Sequence, residues 1–175
     1  MVAREAITCA LKGTRYVVPQ HPRGALAQPR GAFVTVRVHD ELRGCIGYIQ
    51  SEQPLIAVVA EVAVKAATDD PRFAPLTLAE IEHTSIEVSV LSPLRRIRSI
   101  EEIQIGVHGV VVALGMRRGL LLPQVATEHH LDREAFVSAA AQKAGLLPEM
   151  WRLPEVELYV FEAEVIHESD YSVSA

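Results

Sequence analysis

The segment Leu-Arg-Gly-Cys-Ile-Gly at residues 42–47 combines residue types that can do chemistry. Arg43 and Cys45 are two positions apart, so an extended chain places both side chains on one face of a strand. A guanidinium near a thiol favours the thiolate, which is the reactive form of cysteine. Gly44 and Gly47 let a ligand or another backbone approach closely. We therefore take Cys45 and Arg43 as candidate catalytic residues and the two glycines as candidate ligand contacts.

A thiol nucleophile also needs a base or a cation within reach. His108 and His129 are candidate bases, and Glu87 is a candidate general acid/base, if the fold brings them near. The alternative for Cys45 is a small buried side chain, because free cysteine is among the most often buried residue types. We interpret Cys9, on a predicted helix, as core.

The further candidates for binding a ligand are four polar residues, Asp70, Arg72, Ser89 and Gln124. Asp70 and Arg72 lie in a turn around a proline, Glu87 and Ser89 alternate on one face of a predicted strand, and Gln124 follows Pro123 at a predicted strand end. The hypothesis is a cleft formed by Arg43, Cys45, Asp70, Arg72, Glu87 and Gln124. The alternatives are a salt bridge at a helix stop for Asp70 and Arg72, and simple solvent exposure for Glu87.

Composition narrows the classes of function. The chain has 175 residues, a net charge of −5 and only 5% aromatic residues. A nucleic-acid surface needs clustered basic residues and often stacking rings, so this class is not expected. Arg95, Arg96 and Arg98 could form a small basic patch, although a solvated loop is the preferred interpretation. The seven histidines and two cysteines show no metal-binding spacing, and no nucleotide or cofactor motif is present, so no metal or cofactor is predicted.

The predicted location is the cytoplasm. No secretory signal peptide is recognisable, and no apolar run approaches the roughly 20 residues that cross a bilayer. Two cysteines do not form a disulfide framework, which also fits a reducing compartment.

Hydrophobic periodicity predicts helices and strands that alternate along the chain. The predicted helices are 2–12, 53–68 and 131–144, and the predicted strands are 32–38, 42–49, 84–91, 105–114, 119–123 and 156–167. Several links are short enough for hairpins, so we expect an α+β fold: a mainly antiparallel sheet packed with helices. A larger main lobe, 1–92 and 124–175, is expected beside a smaller α/β lobe, 93–122.

The register of the hairpin 32–49 stays open at this stage. A two-residue loop at Asp40-Glu41 places Cys45 opposite Val36, whereas a three-residue loop places it opposite Thr35.

Six blocks, in this order, resemble the AMMECR domain family, whose prokaryotic members are often called AmmeMemoRadiSam system protein A. They are LRGCIG at 42–47, DPRFAPL at 70–76, EVSVLSP at 87–93, GVHG at 106–109, LLPQVA at 121–126 and KAGL at 143–146. The resemblance extends from about residue 6 to about residue 168. It is weakest in the loop 19–30 and at 128–131.

The resemblance implies an α/β fold with a larger and a smaller subdomain, and no established activity or cofactor. It also implies two partners, a Memo-type protein and a radical S-adenosylmethionine protein. Two functions follow as hypotheses. The chain is either a thiol-dependent enzyme or enzyme subunit with a cleft at Cys45, or a non-catalytic interaction or regulatory module. The first predicts a partly exposed Cys45 among converging polar groups, and the second a flat or buried Cys45 with an apolar patch elsewhere.

Overall fold

The computed structural model describes residues 1–171 and has an α+β fold, as predicted from the sequence. The described residues separate into two compact units, residues 1–91 with 164–171 and residues 92–163. Of the described residues, none lies in a helix that combines the length and the apolar character needed to cross a membrane.

The first unit contains two long helices and a group of antiparallel strands. Its elements are α1 (Val2–Leu11), β1 (Ala32–Val38), β2 (Glu41–Tyr48), α2 (Leu55–Thr68), β3 (Thr84–Leu91) and the last residues of β7 (Glu157–His167). One face of this sheet is apolar because valines alternate along β1 and β3, and α1 and α2 cover it. The other face carries the polar side chains of the same strands.

The second unit contains the remaining strands and two helices. Its elements are β4 (Arg95–Ile97), β5 (His108–Leu114), β6 (Arg117–Leu121), α3 (Pro123–Glu128), α4 (Arg133–Lys143) and most of β7. Its core is formed by buried side chains of β5 and α4, with Phe136 fully buried. Asp132 caps α4 by accepting a hydrogen bond from the backbone N–H of Ala135 at 2.8 Å.

The sheet runs in the order β2-β1-β3-β7-β5-β6, and β4 pairs with β7. The pairs β1–β2, β1–β3, β4–β7, β5–β6 and β5–β7 are all antiparallel, in agreement with the predicted sheet.

The hairpin β1–β2 contains a bulge that sets the position of Cys45. Its turn is two residues long, His39-Asp40, and both have positive φ (50° and 66°), as hairpin turns of this length favour. The register then shifts by one residue at Arg43, so that Cys45 lies opposite Thr35. Of the two registers left open by the sequence, the one with a three-residue loop paired Cys45 with Thr35. The structure reaches it through a shorter turn and one extra residue in β2.

Two local predictions were wrong. Pro123 does not end a strand but begins α3, because its fixed φ suits the first position of a helix. Arg95 and Arg96 do not lie in a loop but in β4. A 3-10 helix, Pro148–Arg152, follows α4.

The limits of the two units also differ from the predicted lobes. Residues 124–163 group with 92–123, whereas the sequence assigned them to the main lobe. The reason is the packing of α4: its buried face contacts β5 and β6, the strands of the expected smaller lobe.

Gly44 is the point at which β2 lies directly on α2. A Cβ atom at residue 44 would lie 1.8 Å from the carbonyl oxygen of Ala66, which is far closer than van der Waals contact allows. Only a residue without a side chain therefore permits this approach.

We expect Gly44→Ala to lower the free energy of unfolding by about 3 kcal/mol, because the strand or helix must move to accept the methyl group. Gly13→Ala is the matched control. A Cβ atom at residue 13 would meet no neighbouring atom within 4 Å. The loss of unfolding free energy in this variant comes only from the positive φ of +71° and should be about 1 kcal/mol. Urea unfolding of both variants measures the difference, and equal losses would contradict the close-approach explanation.

Candidate functional site

The outer face of the first unit's sheet brings together residues from three strands. Cys45 of β2 lies opposite Thr35 of β1, and Thr35 lies opposite Glu87 of β3. Side chains of directly opposed residues point to the same side of a sheet, so these three form one row across it. Because Val34 and Val36, the neighbours of Thr35, are buried in the core, the row lies on the face away from that core.

The thiol of Cys45 is half-buried and has a hydroxyl donor beside it. The Thr35 hydroxyl donates to Sγ of Cys45 over 3.4 Å. A donor in this position stabilises negative charge on sulfur. The sulfur therefore does not have the fully apolar surroundings of a packed core cysteine.

Asp70 fixes the backbone at Cys45. The backbone N–H of Cys45 donates to Oδ2 of Asp70 at 2.9 Å, and the backbone N–H and side chain of Arg72 donate to the same carboxylate. Asp70 is buried, with 5% of its surface exposed. The hydrogen bonds from Arg72, joined by the one from Cys45, lower the pKa of Asp70 far below its usual range, so it stays ionised.

Arg72 is the cation next to Cys45. Its Nη2 lies 3.4 Å from the carbonyl oxygen of Cys45, and its hydrogen bonds to Asp70 raise the pKa of the guanidinium. More than half of the Arg72 side chain is exposed (56%), so it keeps donors that can reach an anion from solvent.

Arg43 has a different partner from the one that its spacing suggested. Its side chain forms an ion pair with Glu80 and lies 3.4 Å from the carbonyl oxygen of Ala74. Glu80 also accepts from Thr77 in a capping box, and these hydrogen bonds, first Thr77 and then Arg43, lower the pKa of Glu80 to about 2. Arg43 thus holds the segment 74–80 against the bulged strand.

Glu87 has a histidine beside it. Nδ1 of His167 lies 3.6 Å from Oε2 of Glu87. Both residues line a cavity of about 630 Å³ on the outer face, together with Thr35, Arg37 and Ser85. Thr35 therefore connects the thiol to a polar cavity in which a carboxylate and an imidazole could transfer protons.

The other candidates lie in varied surroundings. Gly47 gives space to the ring of Phe33, since a Cβ there would lie 2.4 Å from it, and Ser89 is buried opposite Phe33. Gln124 belongs to the second unit, in the first turn of α3, and its backbone carbonyl accepts from the Thr127 hydroxyl.

The two histidines proposed as bases are also in the second unit. Nδ1 of His108 accepts from the backbone N–H of Gln104, whereas His129 is the residue that follows α3. Between residues 1 and 171, no three His, Cys, Asp or Glu side chains converge as metal ligands.

Sequence reasoning did not single out Thr35 or His167. Thr35 had a signal: it is one of the polar residues of an alternating strand, and one of the two open registers placed it opposite Cys45. His167 had none, because its proximity to Glu87 depends on how the end of β7 meets the first unit's sheet.

The carboxylate of Asp70 leads to a stability prediction. Its pKa is lowered in the folded state, so its contribution is complete at neutral pH and is lost as the pH falls below the ordinary aspartate pKa of about 3.9. Asp70→Asn should lower the free energy of unfolding at pH 7 by about 2 kcal/mol, less than for a fully buried pair because Arg72 is partly exposed. Urea unfolding at pH 7 and pH 3 should show a smaller difference at pH 3.

Asp69→Asn is the control, since Asp69 is an exposed neighbour. A loss for Asp70→Asn that did not shrink in acid would show that the charge is not the source of the stability.

Comparisons with known proteins identify the family of this chain. The family model described as AMMECR1 matches residues 1–166. Protein MK0488 of Methanopyrus kandleri is 44% identical over 178 residues, covering 97% of this chain and 86% of that protein. Protein MJ0810 of Methanocaldococcus jannaschii is 40% identical over 174 residues, covering 95% of this chain and 86% of that protein.

A solved structure has the same fold. The crystal structure of the uncharacterized protein PH0010 from Pyrococcus horikoshii is similar to this one with a TM-score of 0.88 and 36% sequence identity, over 95% of this chain and 88% of that chain. From the family match and these relatives we conclude that the chain belongs to the AMMECR1 family.

Proposed function

We propose that this chain is a thiol-dependent enzyme, or the thiol-bearing subunit of one, that acts on a small polar substrate. Cys45 is the nucleophile or group carrier in this proposal. The observation that carries it is the bulge at Arg43, which turns Cys45 away from the core and into a row with Thr35 and Glu87. A cysteine that served only to fill the core would not need this shift.

Each neighbour of the thiol has a role in the proposal. Thr35 stabilises negative charge on sulfur through its hydroxyl. Arg72, held by Asp70, binds an anionic group of the substrate. Glu87 and His167 transfer protons in the adjoining cavity. Arg43 and Asp70 are positioning residues, because both act on the backbone and loops around Cys45.

The proposal keeps the two partners that the family resemblance implies. A Memo-type protein and a radical S-adenosylmethionine protein would supply or receive the group that Cys45 carries. This part of the proposal rests on the resemblance of the six sequence blocks to the family.

The competing candidate is a non-catalytic interaction or regulatory module. One observation favours it: an apolar groove of about 440 Å³ in the first unit, lined by Val2, Leu26, Leu55, Val59 and Ile166 among others. Such a groove is a common feature of protein-binding surfaces. The half-buried thiol with its hydroxyl donor favours the enzyme, and reactivity of Cys45 separates the two.

Cys45 should react with iodoacetamide faster in the folded chain than in the same chain unfolded in urea at the same pH. The experiment uses a Cys9→Ala background, in which Cys45 is the only thiol. In that background Thr35→Val should slow the reaction by about fivefold to tenfold, because it removes the donor to sulfur.

Thr127→Val is the matched control, since its hydroxyl donates to a helix carbonyl in the second unit. Its rate should equal that of the background. A folded rate no higher than the unfolded rate would reject the thiol enzyme and leave the interaction module.

The partner proposal has its own test. When the purified chain is mixed with the Memo-type protein and the radical S-adenosylmethionine protein of the same organism, we expect co-elution with at least one of them in size-exclusion chromatography. Cys45→Ser should still co-elute, because it changes a single atom. Separate elution of all three proteins would contradict the partnership while leaving the thiol chemistry intact.

A further inference from the structure

A second cavity lies wholly within the second unit and is lined by three arginines. It has a volume of about 640 Å³, within the range of small-ligand sites. One wall is β4 and the residues after it, and the other is the 3-10 helix Pro148–Arg152. Among the described residues that line it, none has an acidic side chain, although the chain carries a net charge of −5.

The three arginines differ in whether their guanidinium groups already form ion pairs. Arg96 lies 3.1 Å from Glu157, and Arg152 forms an ion pair with Glu134. Both side chains are about half exposed or more, so they keep N–H donors for another anion. The Arg98 side chain forms no hydrogen bond or ion pair with any residue between 1 and 171. Its backbone N–H donates a hydrogen bond to Glu102.

Apart from Ser99, the rest of the cavity lining is apolar or aromatic. The apolar residues of the lining include Ile97 in β4, Leu158 in β7 and Val156 just before β7. Of these, Ile97 and Val156 are buried. Trp151 lines the cavity too. Its indole N–H donates to Ser138 at 3.0 Å, and the guanidinium of Arg152 lies 4.2 Å from its ring. The indole is therefore held in place by two contacts.

We propose that this cavity binds a small organic anion, with a phosphate or carboxylate group on Arg96, Arg98 and Arg152 and an apolar or planar body against Trp151 and the apolar side chains. Guanidinium groups match the oxygens of such anions with paired hydrogen bonds. The site lies in the second unit and is independent of the proposed chemistry at Cys45.

The test uses AMP as a probe with an anionic group and a planar body. Trp151 is the only tryptophan of the chain, so tryptophan fluorescence reports on this cavity alone. AMP should change the fluorescence saturably, and adenosine and inorganic phosphate, each carrying half of the proposed ligand chemistry, should bind more weakly than AMP. Arg98→Gln should weaken AMP binding about tenfold, the cost of one hydrogen bond to a charged group.

Arg118→Gln is the matched control. It removes the same charge from an exposed arginine of the same unit that does not line the cavity. Equal weakening by Arg118→Gln and Arg98→Gln would show unspecific charge attraction and overturn the proposal, as would the absence of any fluorescence change with AMP. Tighter binding of a ten-nucleotide single-stranded DNA than of AMP, lost in Arg98→Gln, would also overturn it by assigning the arginines to nucleic acid.

Discussion

The bulge opposite Val36 and Arg37 determines what the first unit presents to its surroundings. Up to Leu42, each residue of β2 lies opposite the β1 residue that the short turn dictates. If that register continued, Cys45 would lie opposite Val34 and point into the core. The extra residue, Arg43, moves the remainder of β2 to the other face. The polar row of Cys45, Thr35 and Glu87 exists only because of this single insertion.

A bulged strand at the edge of a sheet needs support, because its outer N–H and C=O groups have no neighbouring strand. Here side chains and loops supply it. Asp70 accepts from the outward N–H of Cys45, and Arg72 reaches the Cys45 carbonyl. At the preceding residue, Gly44, the absence of a side chain allows the backbone of α2 to approach the strand. The edge is therefore closed by a buried carboxylate at the very residue whose thiol accepts a hydrogen bond from Thr35.

Much of this architecture could be predicted from the sequence, since it depends on local patterns. Alternating valines located β1 and β3 to the residue, and the apolar stripe located α2. The salt bridge of Asp70 and Arg72 was the simpler alternative for that pair, and it forms. Its further contact with Cys45 spans 25 residues of sequence, and no local pattern encodes such a contact.

The parts that could not be predicted share one physical cause, which is that they depend on distant packing. Spacing placed Arg43 beside Cys45, yet the bulge turns its side chain toward Glu80. The bulge has no sequence signal of its own, because a tight turn with a bulge and a longer turn without one give the same partner for Cys45. His167 meets Glu87 only through the end of β7. Glu87 and His167 are far apart in the sequence, so no local spacing pattern contains both of them.

The same contacts that stabilise the edge of the sheet also restrict the thiol. Cys45 cannot shift along the strand without breaking the hydrogen bond from its own N–H to a carboxylate that is almost completely buried. Leaving that carboxylate without its donors is costly, because a buried charge loses its hydration on folding. Stability and orientation are thus supplied by one group. In the proposed thiol enzyme, a side chain held in this manner needs little reorganisation when a substrate arrives, which is the condition under which fixed hydrogen-bond donors are most effective in catalysis.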